Sequence, residues 1–218
     1  VLPLVVRIER SAPPARTDAL EAAGRAVLAM LTDPRGYPGA PWAQPLRAWR
    51  DGRIRKVVRR ARGAGWRRAE ALDGLPLTHR TAQVRVYPPV PVDGWPPDLA
   101  RLQVGGTDLT DDSGPGADPP PGTPVIWLAP ELAMTAGKAM AQVGHAVQLG
   151  WWASSAAGRA AWAGADFALA VRTAQPRRWD ALLAAGAPAV RDAGFTEIAP
   201  GSCTAIPDLP WLTDQPRS

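Results

Sequence analysis

Fourteen residues near the middle of the chain, Thr110-Asp-Asp-Ser-Gly-Pro-Gly-Ala-Asp-Pro-Pro-Pro-Gly-Thr123, are built from Pro, Gly and Asp and carry no apolar periodicity. No continuous helix or strand survives such a run, so it predicts an extended, poorly ordered connector. It divides the chain into residues 1–109, a linker at 110–122, and residues 123–218. Each outer piece holds about 100 residues, enough to bury a core of its own.

The two pieces resemble one another. Residues 4–31 align without a gap onto 124–151 at an offset of 120, with Val5-Val6 on Val125-Ile126 and Ala23-Gly24-Arg25-Ala26-Val27 on Val143-Gly144-His145-Ala146-Val147. At an offset of 113, Trp49, Gly52, Val58, Arg59 and Trp66 fall on Trp162, Gly164, Val171, Arg172 and Trp179. Both halves read strand, helix, Trp-x-x-Gly, strand, then a helix beginning near a Trp. Beyond that the match is weak, with Val84-Arg85 set against Val190-Arg191. The pattern predicts a tandem pair of related domains; two unrelated domains of similar strand–helix order are the alternative.

Charge is unequal between them. Residues 1–122 carry 18 Lys+Arg against 13 Asp+Glu, whereas residues 123–218 carry 7 of each. Ten basic residues crowd into positions 47–68, bordered by Trp49 and Trp66. A strand through Arg53-Ile-Arg-Lys-Val-Val-Arg59 would show Arg53, Arg55, Val57 and Arg59 on one face and Ile54, Lys56 and Val58 on the other. Such density favours a nucleic-acid backbone over a merely solvated face. The tryptophans read as core, since Trp162 and Trp179 recur in the uncharged half.

One cysteine excludes an intrachain disulfide and a Cys-based zinc site, and two histidines, His79 and His145, argue against a His-based one. No secretory leader is visible, because Arg7, Glu9 and Arg10 interrupt the opening apolar run. The uncharged stretch from Ala139 to Gly158 holds Gln142, His145 and Gln148 and reads as a packed helix rather than a membrane span. These features predict a cytoplasmic protein with no membrane partner, no metal and no cofactor. Cys203 is a nucleophile only if a base lies within reach; a small buried cysteine is the commoner case. Of 25 basic residues only Lys56 and Lys138 are lysines, which marks both as positions where a guanidinium does not substitute.

The chemistry concentrates in Met134-Thr-Ala-Gly137-Lys138-Ala-Met-Ala-Gln142-Val-Gly-His145-Ala146, after the apolar run from Val125. In a helix, Lys138, Gln142 and His145 share one face, while Met140, Val143, Val147 and Trp151 form the buried one. A lysine, an amide and an imidazole beside a Gly-containing helix start suit anion binding and proton transfer. A second segment, Asp192-Ala-Gly194-Phe-Thr196-Glu-Ile-Ala-Pro200-Gly201-Ser-Cys-Thr204, lies about fifty residues on.

Together the two segments resemble the type-2 peptidyl-tRNA hydrolases, which carry a strand, a helix opening with G-K and containing A-Q and H-A, and later D-A-G-x-T-x-I-x-P-G-[ST]-x-T. Gly137, Lys138, Gln142, His145, Asp192, Gly194, Thr196, Pro200, Gly201 and Thr204 stand at the family's spacing, within about residues 123–207. There are departures. Ala129 stands where the family has Arg, Glu131-Leu132 replaces Asp-Leu, Phe195 follows the D-A-G, and the G-x-x-K-V-V lysine is missing from Gly164–Val171. The first half keeps that lysine, in Gly52-Arg-Ile-Arg-Lys56-Val57-Val58, but has Asp18, Ala22 and Arg25 where the second has Lys138, Gln142 and His145.

The resemblance implies cleavage of the ester between a peptide and tRNA, without metal or cofactor. Lys138 would hold the ester carbonyl oxygen or the terminal phosphate, Asp192 would orient Lys138 or a water, and His145 would be a base or an orienting group. Thr196 and Thr204 would position water with Gln142 in support, and Gly137 and Gly201 would admit close backbone approach unless they are ordinary turn glycines. Arg53, Arg55, Lys56 and Arg59 would hold the RNA. The strand–helix order makes the expected fold α/β, and the homodimeric state of the family implies that the two copies pair. The expected fold comprises two tandem lobes, each a small mixed sheet flanked by helices, packed as a pseudo-dimer within one monomer. Two other functions fit the same residues: a catalytically silent tRNA- or rRNA-binding protein, and a hydrolase of another aminoacyl or acyl ester.

Overall fold

The computed structural model describes residues 1–111, 119–192 and 198–212. The first lobe runs β1 (Leu2–Arg7), α1 (Arg16–Thr32), α2 (Ala43–Asp51), β2 (Lys56–Ala61), α3 (Gly63–Glu70), β3 (Leu75–His79), β4 (Ala82–Val86) and a single turn, α4 (Pro97–Ala100). The second runs β5 (Val125–Leu128), α5 (Ala136–Ala153), α6 (Ala156–Gly164), β6 (Ala170–Thr173), α7 (Pro176–Ala184), β7 (Val190–Arg191) and β8 (Cys203–Asp208). Each lobe is a four-stranded mixed sheet, ordered β2-β1-β4-β3 and β6-β5-β8-β7. In both, the first two strands pair in parallel and the other two pairings are antiparallel. The chain is therefore α/β with two lobes, as the sequence predicts.

Strand alternation sets the layers. Leu4 and Val6 of β1, with Ile126 and Leu128 of β5, face a shared core with α1 and α5, to which Val27, Met140, Val143 and Val147 also belong. Val5 faces the other way, onto Trp66 of α3, Tyr87 and Leu99. Trp127 and Ile206 do the same in the second lobe, against Trp179 and Leu182 of α7. The central helices thus lie between the two sheets, and one apolar core is common to both lobes. The four repeated tryptophans, Trp49, Trp66, Trp162 and Trp179, are all buried.

Internal symmetry extends to single bonds. Trp49 Nε1 donates to the carbonyl of Arg55 at 2.9 Å, and Trp162 Nε1 donates to that of Ala168 at 2.9 Å. These pairs are related by the same offset of 113. The central helices obey the offset of 120: a Cβ at Gly24 would stand 3.1 Å from Val143 and 3.2 Å from Val147, and one at Gly144 would stand 3.1 Å from Val27. Glycine lets the two helices approach at equivalent points. A glycine costs a helix about 1 kcal/mol against alanine, which the close packing offsets.

Two alignments need correction. Leu4 pairs with Val58 in the first sheet, but Ile126 pairs with Val171 in the second. With Val58 equivalent to Val171, Leu4 matches Ile126, so the strands are offset by 122 and the loop into the helix differs by two residues. An even shift keeps every side chain on its face, which is why a gap-free alignment looked sound. Val84-Arg85 lies in β4, the counterpart of β8, and is not equivalent to β7.

The start of the connector is anchored rather than loose. The Asp111 carboxylate accepts from Thr17 N at 2.8 Å and Thr17 Oγ1 at 2.7 Å, and the carbonyl of Thr110 accepts from Arg16 N at 3.1 Å. The first turn of α1 has no capping side chain of its own at Ala15, so these acceptors satisfy donors that would otherwise be orphaned. Near Leu102–Val104 the chain makes a single antiparallel bridge, Gln103 to Arg60, rather than a strand.

Candidate active site at the start of the second central helix

Four residues of the two motif segments meet in a chain of hydrogen bonds. Thr135 caps α5 through its hydroxyl, which accepts from Lys138 N at 3.3 Å, and this fixes Lys138 in the first turn. Lys138 Nζ donates to Asp192 Oδ2, forming an ion pair whose side chains are 12% and 6% exposed. Gln142 Nε2 donates to the same oxygen at 2.7 Å. Gln142 Oε1 in turn accepts the Thr204 hydroxyl at 2.8 Å. Thr204 Oγ1 also lies 3.3 Å from the carbonyl of Val190, but its one proton goes to the nearer acceptor. Thr204, Gln142 and Asp192 are buried. An ion pair this enclosed is costly to form unless its remaining polar atoms are bonded, and Gln142 supplies one such bond.

Backbone geometry delivers the carboxylate. β7 is only two residues long, but its pairing continues as Asp192 N donates to the carbonyl of Ser202 at 2.9 Å and Gly201 N to that of Asp192 at 2.7 Å. Ala199-Pro200-Gly201-Ser202 forms a turn closed by Ser202 N on the carbonyl of Ala199 at 3.2 Å, with Gly201 at φ 83°. Proline followed by a positive-φ glycine is the signature of a type II turn. Gly201 is therefore a turn glycine that positions Asp192. Gly194 and Thr196 lie outside the described residues.

Gly137 does not admit a ligand to the helix start. Its N–H donates to Thr107 Oγ1 at 2.9 Å, Ala136 N donates to the carbonyl of Thr107 at 3.2 Å, and a Cβ on Gly137 would stand 2.9 Å from that hydroxyl. The expected anion site at this terminus is occupied by the protein's own chain, whose Thr107 already uses the donors. The open space lies beside it, at the carboxyl ends of β5 and β6. There, a cavity of about 360 Å³ is lined by Arg16, Ala129, Glu131, Leu132, Met134 and Thr173. Ala129 N donates to the carbonyl of Thr204 at 3.1 Å, but Lys138, Gln142, Asp192 and Thr204 do not line this cavity. In open α/β sheets, ligands bind at this end of the strands.

His145 belongs to a second group. Its Nδ1 lies 3.3 Å from Lys56 Nζ, which reaches across from β2 and donates to Gln148 Oε1 at 2.5 Å and to the carbonyl of Ile54 at 3.3 Å. The Trp49 ring lies 4.9 Å from the same ammonium. Burial pushes Lys56 well below the ordinary lysine range. Burial, then the positive charges of Lys56 and Lys138, hold His145 well below the ordinary histidine range. The basic strand predicts Lys56 as an RNA ligand; the structure instead buries it between the lobes. Helical spacing put His145 on the Lys138 face, but could not show what the other lobe places against it.

The basic strand is also partly spent internally. Arg59 Nη1 donates to the carbonyls of Leu102 at 2.6 Å and Ala100 at 3.1 Å, and its guanidinium lies 4.3 Å from the Trp95 ring. Arg59 therefore ties down residues 95–102 and is not a free phosphate ligand. Arg55 is partly buried, and its carbonyl accepts from Leu2 N at 2.8 Å. Arg53 is exposed and lines a cavity with Val1, Trp49 and residues 89–92. Cys203 lies on the strand face opposite to Thr204, against the α7 core, and burial pushes its thiol up, so it is not poised as a nucleophile.

At the corresponding place on α1 there is an ion-pair clamp. Glu21 accepts from His79 Nε2 at 2.9 Å, from Val171 N at 3.1 Å and from Arg172 Nη1 at 3.3 Å, joining the lobes. Arg25 Nη1 lies 2.9 Å from His79 Nδ1. Asp18, Glu21 and His79 bring ligand-type atoms within 4.8 Å of one another. Their carboxylates face Arg80 at 3.6 Å and Arg172 at 3.3 Å, so guanidinium groups already supply the balancing charge. The sequence signal for this clamp is the pair of acidic residues, Asp18 and Glu21, on a helix whose other side chains are mostly buried and apolar. No protein-family model matches the chain, and no curated protein matches it significantly.

Proposed function

We propose that this protein is a peptidyl-tRNA hydrolase, cleaving the ester between a peptide and the 3′-terminal ribose of tRNA. The observation that carries the reading is the bonded series Lys138–Asp192–Gln142–Thr204, which draws four motif residues from two distant segments to one place. Water adds to the ester carbonyl carbon and gives its proton to a base. The carbon–oxygen bond to the ribose then breaks, and the ribose oxygen leaves as a hydroxyl by taking that proton back from the base. Lys138 is the group suited to face the developing oxyanion, because its side chain is the more exposed member of the ion pair. Asp192 keeps that ammonium aimed, and Gln142, locked by Thr204, keeps Asp192 in place. No helix among the described residues is long and apolar enough to cross a membrane, in keeping with a cytoplasmic role beside the translation apparatus.

One observation favours the rival reading of a catalytically silent RNA-binding protein: the cavity wall has Ala129 where the resembled family has Arg. Release of tRNA from N-acyl-aminoacyl-tRNA, measured with EDTA present for the wild type, Lys138→Ala and Asp192→Asn, separates the two. A hydrolase loses about 10²–10³ of its turnover in Lys138→Ala while tRNA affinity changes little. A wild type that binds tRNA but does not cleave it refutes the proposal. Cleavage of simpler aminoacyl esters in preference to N-acylated ones would redirect it to another ester.

A further inference from the structure

The pseudo-two-fold relation places residue 56 on α5 and its counterpart, residue 169, on α1. A Cβ at Gly144 would stand 2.9 Å from Lys56 Cδ, and one at the equivalent Gly24 would stand 3.1 Å from Leu169 Cδ2. Leucine therefore suffices for packing at this position. The opposing helices differ in the same sense. Lys56 faces His145 and Gln148, whereas Leu169 lies against the helix that carries Arg25 and Leu28 in their stead. The lysine is present in the lobe whose partner helix carries the imidazole and the Lys138–Asp192 pair, and absent from the other.

A buried ammonium costs several kcal/mol in lost hydration unless it is well bonded. An ammonium has three N–H donors and no acceptor. Two acceptors, Gln148 Oε1 and the carbonyl of Ile54, take two of these donors, and the third faces His145 Nδ1, which accepts only when the ring carries its proton on Nε2. Gln148 is fully buried, and its Nε2 has no hydrogen-bond partner among the described residues. Its amide is tolerated there for the oxygen it gives to Lys56.

Resting on the hydrolase reading, we propose that Lys56 is a positioning residue supplied by the first lobe to the site of the second. By donating to Nδ1 it holds His145 in the tautomer protonated at Nε2. His145 then presents an N–H donor, not a base, on the helix face it shares with Lys138 and Gln142. The lobe without its own reacting residues is thus a working part of a single composite site.

The test is the ring ¹⁵N spectrum of histidine-labelled full-length protein at neutral pH. His145→Gln assigns the signals, and Lys56→Leu, the residue natural at position 169, together with Lys56→Arg, perturbs the contact. The expected wild type shows His145 protonated at Nε2 with Nδ1 unprotonated. Lys56→Leu should mix the tautomers and lower kcat about 10-fold or more with little change in KM, and Lys56→Arg, which puts a planar guanidinium in place of a compact ammonium, should restore neither. A wild-type His145 protonated at Nδ1, or a tautomer unchanged in folded Lys56→Leu, overturns the proposal. The wild-type spectrum decides this even if neither variant folds. Wild-type protein that shows the expected tautomer and its loss in Lys56→Leu, yet cleaves no ester, refutes the hydrolase reading while leaving the Lys56–His145 relation standing.

Discussion

Thr204 donates its hydroxyl to Gln142 across 2.8 Å, and this bond turns the amide nitrogen of Gln142 onto Asp192. A buried amide without that anchor could rotate and present oxygen to the carboxylate. Thr204→Val keeps the shape and removes the donor, leaving Gln142 Oε1 unsatisfied. We expect a stability loss of about 1–3 kcal/mol in urea unfolding, with turnover down about 10-fold, the equivalent of roughly 1.4 kcal/mol. Wild-type turnover in this variant would show that the series is structural and not part of the reacting centre.

Arg53 and Arg59 should separate RNA binding from folding. Arg53 is exposed, so Arg53→Ala is expected to change stability by no more than about 0.5 kcal/mol. If it meets a phosphate, the slope of log affinity for tRNA against log salt falls by about 1. Arg59→Ala removes two bonds to the carbonyls of Ala100 and Leu102 and should lower the unfolding midpoint instead. A large loss of tRNA affinity in folded Arg59→Ala, with Arg53→Ala unaffected, would reverse this assignment.

His145 makes stability depend on pH in a definite direction. Its folded pKa is depressed, so below the ordinary histidine value of about 6.5 the unfolded chain takes up a proton that the folded chain refuses. Stability is then lost as pH falls from about 6.5 toward the folded value, by at most about 1.4 kcal/mol per pH unit from this group. Urea unfolding between pH 7.5 and 5.5 should be less steeply pH-dependent in His145→Gln than in the wild type. Equal slopes would mean that the imidazole is no harder to protonate in the fold than outside it.

Gly24 tests whether the lobes form one cooperative unit. Alanine at an ordinary helical glycine adds about 1 kcal/mol of stability. At Gly24 the new methyl would meet Val143, Val147 and Leu169 at 3.1–3.2 Å, where overpacking costs about 1–3 kcal/mol. We expect Gly24→Ala to destabilise both lobes together, seen as a single unfolding transition at lower denaturant by fluorescence and circular dichroism. Two separated transitions would show that the shared core does not couple them.

The α/β class, the repeat of strand and helix, and the burial of Trp49, Trp66, Trp162 and Trp179 are all legible in the sequence. All of these rest on local periodicity and on residues repeated at a constant spacing. The sequence also brings Lys138, Gln142, Asp192 and Thr204 into one expected site through two motifs. What it could not determine depends on contacts between segments far apart in the chain. The strand offset of 122 follows from ladder register, which hydrogen bonds set and which an even shift hides from any pattern of buried residues. Thr107 filling the start of α5 and Arg59 holding residues 100 and 102 were invisible, because a polar residue in a loop or strand does not announce its acceptor. Lys56 is the plainest case. Its sequence neighbours make it one cation in a basic strand, and only the packing of two sheets around α1 and α5 removes it from water and sets it against His145.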